Sequence, residues 1–160
     1  MHLNAFTDYS LRVLIYAAAR SPEQVSLTEL AEAYGISRNH LIQVVRKLAH
    51  LGFLETTRGR GGGIRLGRPA ESITVAEVVK ATEPGFDMAQ CFRKGDGGCR
   101  LTPVCRLKGM LAGAADAFLE NLSQYSLADI ATPRGAVLKA LTTPGTVPGT
   151  PAPAPAATTA

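Results

Sequence analysis

The sequence predicts a mainly α chain, a winged helix-turn-helix followed by a long C-terminal dimerisation helix, and three observations carry that expectation. Capped amphipathic segments follow one another closely from Asn4 to Gly52. Two short β-prone runs then flank the glycine-rich stretch Gly59-Arg60-Gly61-Gly62-Gly63. Finally, one apolar stripe runs on from Pro103 for about 23 residues, a rod of roughly 34 Å.

The first helix opens with Asn4 and Thr7 as candidate caps and places Leu11, Leu14, Ile15 and Ala18 at the spacing of one helical face. Ser21-Pro22 ends it. Ser26 starts a second helix, with Glu29 three residues on completing a capping-box pattern and Leu27, Leu30, Ala31 and Tyr34 on its apolar side. Gly35 supplies a left-handed turn, and Ser37 caps a third helix at once. Ile36 and Leu41 are placed to act as a hydrophobic staple, and Val44, Val45, Leu48 and Leu51 continue the core stripe to Gly52. Two helices joined by a tight glycine turn are the helix-turn-helix pattern, whose second member enters the DNA major groove.

That third helix turns Arg38, Asn39, His40, Gln43, Arg46, Lys47 and His50 outward, a donor-rich row suited to base edges and phosphates. Phe53 to Arg58 reads as a strand, the glycines as a flexible tip and Ile64-Arg65-Leu66 as the return strand, which makes a wing. Arg58, Arg60 and Arg65 then place charge where a narrow minor groove attracts it. The candidate DNA-contacting set is Ser26, Thr28, Ser37, Arg38, Asn39, His40, Gln43, Arg46, Lys47, Arg58, Arg60, Gly61 and Gly62. Past Pro69, Thr74 and Glu77 repeat the capping-box pattern, with Ile73 and Val78 as a staple, on a short helix to about Thr82.

Thr102 as cap and Pro103 as first residue launch the long helix, which carries Leu107, Leu111, Ala114, Phe118, Leu122 and Tyr125 along one side. A stripe of that length on so small a body calls for a second copy in a two-fold dimer; packing within one chain is the alternative. From Thr142 onward there is no charge, and five of the ten prolines fall between Pro144 and Pro155, a composition that predicts disorder. The expected organisation is a DNA-binding unit over residues 1–82, a ligand-bearing loop over 83–105, the dimerisation helix and a short following helix over 103–131, and a disordered tail over 142–160.

Charge distribution says more than the total. The 160 residues carry a formal +4 with a pI near 9.2, but between Ser37 and Arg68 seven basic residues face only Glu55. Such a concentration fits a polyanion, because neutralising phosphates releases condensed counterions; a solvated basic face is the bland alternative. No apolar run approaches the roughly 20 residues of a bilayer span, and the N-terminus lacks the order of a secretory signal. A cytoplasmic protein without a membrane partner is expected.

Three cysteines, Cys91, Cys99 and Cys105, are an odd number and sit at C-x7-C-x5-C in a glycine-rich loop that runs into the long helix. Arg93, Lys94, Arg100, Arg106 and Lys108 outnumber Asp96 around them and would offset a negatively charged thiolate-bound centre. Iron-sulfur, zinc, a thiol switch and three unrelated buried thiols all remain open on spacing, which matches neither common ferredoxin pattern and lacks the nearby histidine zinc favours. Enzymatic activity is not expected, since no base and nucleophile pair stands out.

Thr7-Asp8-Tyr9 with Leu11-Arg12, Leu27-Thr28-Glu29-Leu30-Ala31, Arg60-Gly61-Gly62-Gly63 and the three cysteines together resemble the iron-sulfur winged-helix repressors of the NsrR/IscR type, over residues 1 to about 131. The resemblance implies a homodimer with crossing long helices, a cluster near the dimer interface and control of the DNA-binding heads by that cluster. IscR-like members place a histidine three residues after the third cysteine; Lys108 stands there instead. NsrR-like members of the [4Fe-4S] type, nitric-oxide-sensing repressors, are completed by an aspartate of the other subunit near the start of the first helix, and Asp8 holds the matching place. The implied function is a repressor of double-stranded operator DNA that senses nitric oxide through a [4Fe-4S] cluster, with [2Fe-2S] as the alternative. Two competing readings are a redox or cluster-assembly regulator of the same fold and a small iron-sulfur electron carrier, which would need neither the basic wing nor the donor row.

Overall fold

The computed structural model describes residues 2–59, 61–85, 92, 99, 101 and 104–142. Its elements are α1 (Ala5–Arg20), α2 (Leu27–Tyr34), α3 (Arg38–His50), β1 (Leu54–Thr56), β2 (Ile64–Leu66), a 3₁₀ turn (Ala70–Ser72), α4 (Val75–Thr82), α5 (Arg106–Ser123), α6 (Leu127–Ile130) and α7 (Arg134–Thr142).

The core is built around α1, which packs against α3, α4, α6, α7 and β2. Surrounded on several sides, it buries more than the single stripe expected of it: Val13, Tyr16 and Ala17 are buried alongside Leu14 and Ala18, whereas Leu11 and Ile15 are half-buried. Asn4 caps it through a 2.8 Å bond accepted from the Thr7 amide, and Thr7 itself is wholly buried. α2 ends at Gly35 with φ 62° and ψ 24°, the left-handed turn that glycine adopts without a steric penalty. Ser37 then accepts from the His40 amide at 3.4 Å and α3 begins. Ile36 and Leu41 are both buried, as a staple requires, and Val44, Val45 and Leu48 complete the inner face of α3.

The capping-box expectation holds only by half at α2 and α4. Ser26 and Thr74 accept from the amides of Glu29 and Glu77, but the two carboxylates do not return the bond. Glu29 accepts from the Tyr16 hydroxyl at 2.7 Å and pairs with Arg20 at 3.5 Å; Glu77 pairs with Arg68. A partner brought close by tertiary packing outcompetes the weak local bond. A full capping box forms elsewhere, between Ser126 and Asp129 at the start of α6.

β1 and β2 pair antiparallel with Leu54 opposite Leu66, Glu55 opposite Arg65 and Thr56 opposite Ile64. A third strand-like contact joins them: Val25 and Ile64 exchange backbone bonds of 2.9 and 2.8 Å. Gly63 is needed there, because a Cβ on it would lie 2.6 Å from the Val25 carbonyl oxygen. The chain after α5 returns to the head through bonds from the Val75 amide to the Tyr125 carbonyl at 2.8 Å and from the Leu127 amide to the Ile73 carbonyl at 2.9 Å, and Leu127 and Ala131 close the core.

Two boundaries differ from expectation. The long helix begins at Arg106 rather than Pro103, since Cys105 is extended at φ −77° and ψ 104° and the Val104 amide turns back to the Leu101 carbonyl at 3.0 Å. Its 18 residues make a rod of about 27 Å. Thr142, where the sequence places the start of the tail, instead closes α7, a helix the sequence did not announce; Val137, Leu138 and Leu141 are half-buried on it, and Arg134 donates to the Ser21 carbonyl at 3.3 Å. Residues 143–160 and most of the loop over 83–105 lie outside the described residues. Among the described residues, no helix is long and apolar enough to cross a membrane.

Candidate nucleic-acid interface and thiol site

α3 divides into two faces. Leu41, Val44, Val45 and Leu48 are buried, and Arg38, Asn39, His40, Gln43, Arg46, Lys47 and His50 are all exposed. Arg38 leans back to donate to the Thr28 hydroxyl at 3.4 Å, which joins the first turns of α2 and α3. The His40 ring lies 6.2 Å from the Tyr9 ring of α1. Ser26 and Ser37 spend an oxygen lone pair on their caps, and each hydroxyl keeps its proton to donate to a phosphate.

Not every cation of this region is available. Arg65 is tied across the wing to Glu55 at 2.7 Å, and Arg68 pairs with Glu77 while its guanidinium stacks 5.2 Å from the Phe53 ring centre. Among the described residues, Arg46, Lys47 and Arg58 have no acidic partner. The unpaired charge therefore lies along α3 and the outgoing side of the wing. Gly59 and Gly61 sit at φ 101° and 75°, and a Cβ on Gly62 would lie 2.3 Å from the Thr57 carbonyl oxygen. Arg60, between them, lies outside the described residues.

A second cluster of polar contacts ties α1 to the helix pair. Asp8 and Arg12 form an ion pair at 2.9 Å. Arg12 lies 5.9 Å from the Tyr34 ring centre, and the Tyr34 hydroxyl donates to the Arg12 carbonyl at 3.0 Å. Tyr34 meets Tyr16 edge-on at 6.1 Å. Burial, with the hydrogen bond to Glu29 next, pushes the Tyr16 phenol up to about 12, and burial raises Tyr34 as well. Local spacing does not signal these contacts, because their partners are 13 and 22 residues apart.

Cys105 is half-buried at the N-cap of α5 and makes no capping bond; Cys99 is exposed, and both are free. Cys91 lies outside the described residues. Lys108, in the first turn of α5, rests 6.0 Å from the Phe92 ring centre. Among the described residues no three histidine, cysteine, aspartate or glutamate side chains gather in a metal-holding group. Among the described residues, Asp8 does not gather with Cys99 and Cys105 into such a group.

Residues 3–133 match the Rrf2 family, described as an iron-dependent transcriptional regulator. The chain belongs to the Rrf2 family. It is a winged-helix transcriptional regulator and not an enzyme. It is 46% identical over 142 residues to the HTH-type transcriptional regulator NsrR of Bacillus subtilis (strain 168), covering 88% of this chain and 97% of that protein. Rrf2-type fold is also evident against solved structures. The global cysteine regulator CymR (YrzC) of B. subtilis superposes with a TM-score of 0.66 at 22% identity, covering 82% of this chain and 97% of that one. IscR of T. potens does so with a TM-score of 0.63 at 21% identity, covering 81% and 85%.

Proposed function

We propose that this Rrf2 regulator is a homodimeric repressor that binds double-stranded operator DNA, holds an iron-sulfur cluster and releases the operator on exposure to nitric oxide. The observation that carries the DNA half is α3, with its apolar side sunk in the core and an exposed donor row outside, beside a wing carrying Arg58; among the described residues, Arg46, Lys47 and Arg58 have no acidic partner. In a two-fold dimer the two α3 helices would lie in successive major grooves about 34 Å apart. Residues 1–82 serve as the DNA-binding unit, 83–105 as the ligand loop, and 106–131 as the dimer arm.

Support for the dimer comes from α5, on which no residue is buried. Leu107, Met110, Ala114, Ala117 and Asn121 are exposed at alternating spacings of three and four, the seam of a two-helix interface.

The chemistry of the donors fits an iron-sulfur cluster: two free thiols not spent on other bonds, with Lys108 in place of an imidazole one turn on. We assign Cys91, Cys99 and Cys105 as its thiolate ligands and Asp8 of the partner subunit as the fourth, which makes it [4Fe-4S]. When bound, the cluster supplies iron as the centre that reacts with nitric oxide. Asp8 sits in the first turn of α1, and α1 packs against α3. A ligand bond made or lost by this carboxylate is therefore felt at the DNA-reading helix. A change of about 3 kcal/mol in conformational preference lowers the binding-competent population more than a hundredfold.

Holo-protein purified without oxygen should bind an operator duplex and lose it on adding stoichiometric nitric oxide. Retained binding would exclude nitric oxide as the signal and favour a redox or cluster-assembly regulator of the same fold. Native mass spectrometry reads nuclearity and dimer together. Asp8→Ala should weaken cluster retention; an unchanged spectrum and stability would remove Asp8 from the ligand set.

A further inference from the structure

Among the described residues of the head, 2–85, one large apolar side chain is exposed: Ile42, at 37%. The other exposed large hydrophobics, Leu101, Val104, Leu107, Met110 and Tyr125, all lie on α5 or its approaches. Ile42 belongs neither to the core cluster nor to the half-buried set packed against it. It is the fifth residue of α3 and shares the outer face with Arg38 and Asn39, four and three residues before it, and Arg46, four after it. Local propensity does not account for it, since an isoleucine is a poorer helix former than the glutamine, arginine and lysine that fill the same face.

An apolar group ringed by donors suits one feature of the major groove. Three of the four bases present only donors and acceptors there, while thymine adds its C5-methyl. The N-terminal part of a recognition helix is the part that reaches base edges. We propose that Ile42 is a base-reading residue whose side chain contacts the C5-methyl of one thymine in each operator half-site. The proposal rests on the reading above that α3 enters the major groove. Arg38, Asn39 and Arg46 fix the register around Ile42 through polar contacts, and Ile42 adds discrimination at a position where no donor or acceptor on the protein need be satisfied.

The test uses the full-length holo-dimer and a duplex enriched by it from a random DNA pool. Thymines of that duplex are replaced one at a time by deoxyuridine, which removes the methyl and leaves every hydrogen-bonding group. One position per half-site should weaken binding by roughly fourfold, the value of one buried methyl, and by about fifteenfold when both half-sites are changed. Ile42→Ala should bind less tightly and no longer sense deoxyuridine at that position, while Ile42→Val keeps part of the response. Side-chain exposure predicts unchanged melting for both variants. A flat deoxyuridine scan with salt-dependent binding intact, a selected half-site without thymine, or a response that persists in Ile42→Ala each overturns the proposal and leaves the DNA-binding reading standing. Failure to enrich any duplex overturns that reading and this proposal with it.

Discussion

α1 and α5 are nearly equal in length, 16 and 18 residues, yet eight residues of α1 are buried and none of α5. α1 has neighbours on most sides, and α5 touches the rest of its own chain chiefly through α4. Local sequence does not separate them, since both are amphipathic with an apolar stripe. What separates them is where the rest of the chain lies. One helix lies inside the core of its own chain; the other, in the proposed dimer, is half of a core that a second copy would finish.

Matched truncations sharpen this contrast. Leu14→Ala, at a wholly buried position of α1, should destabilise the head by about 2–5 kcal/mol. Leu107→Ala, on the open face, should leave the unimolecular melting step unchanged and make unfolding more dependent on protein concentration. Denaturant unfolding at two concentrations checks both, and equal effects would erase the distinction between the helices.

The next largest effect concerns assembly. Leu107→Glu with Met110→Glu places four like charges across the proposed seam, so the variant should sediment as a monomer and lose operator affinity by about a hundredfold or more. The head should still melt as before. A dimer that survives these charges would move the interface off this face of α5.

A smaller effect tests whether α1 is held to the helix pair by polar contacts as well as packing. Tyr16→Phe removes the bond to Glu29 and should cost about 1 kcal/mol. The phenol, raised to about 12, also favours the folded state below its ordinary value of 10.0, and that contribution is lost as pH rises through the folded value. Alkaline unfolding of the wild type and Tyr16→Phe should therefore converge at high pH.

The smallest effect lies where α5 hands the chain back. Hydrogen bonds from the Ser126 hydroxyl and amide hold the Asp129 carboxyl below its ordinary value. A depressed carboxylate stabilises the fold above the unfolded value, and that stabilisation disappears as pH falls through the folded one. Ser126→Ala should thus lower the melting midpoint slightly at neutral pH, with the difference closing in acid.

Much of the head was legible because caps are local chemistry. Asn4, Ser26, Ser37 and Thr74 each accept the amide bond expected from a residue three positions away. Whatever depended on a distant partner was not legible. Glu29 and Glu77 left their capping boxes for Tyr16 and Arg68, and Arg65, expected to reach DNA, is neutralised by Glu55. α7 escaped notice because its half-buried residues, Val137, Leu138 and Leu141, form too short a pattern, and Gly135 in its first turn argues against a helix. In the candidate interface, polar side chains drew attention and Ile42 did not, since an isoleucine inside an amphipathic helix reads as core until its exposure is known.

The two backbone bonds between Val25 and Ile64 have a consequence for the operator. Val25 immediately precedes the cap of α2, so the wing is stitched to the base of the helix pair. In the proposed DNA complex this tie would limit how far α3 and the wing move apart. A site whose neighbouring grooves already match that spacing would then be held without strain, while a stiffer or wider one would have to be bent to fit. Part of the address would thus be written in the curvature of the duplex rather than in its letters.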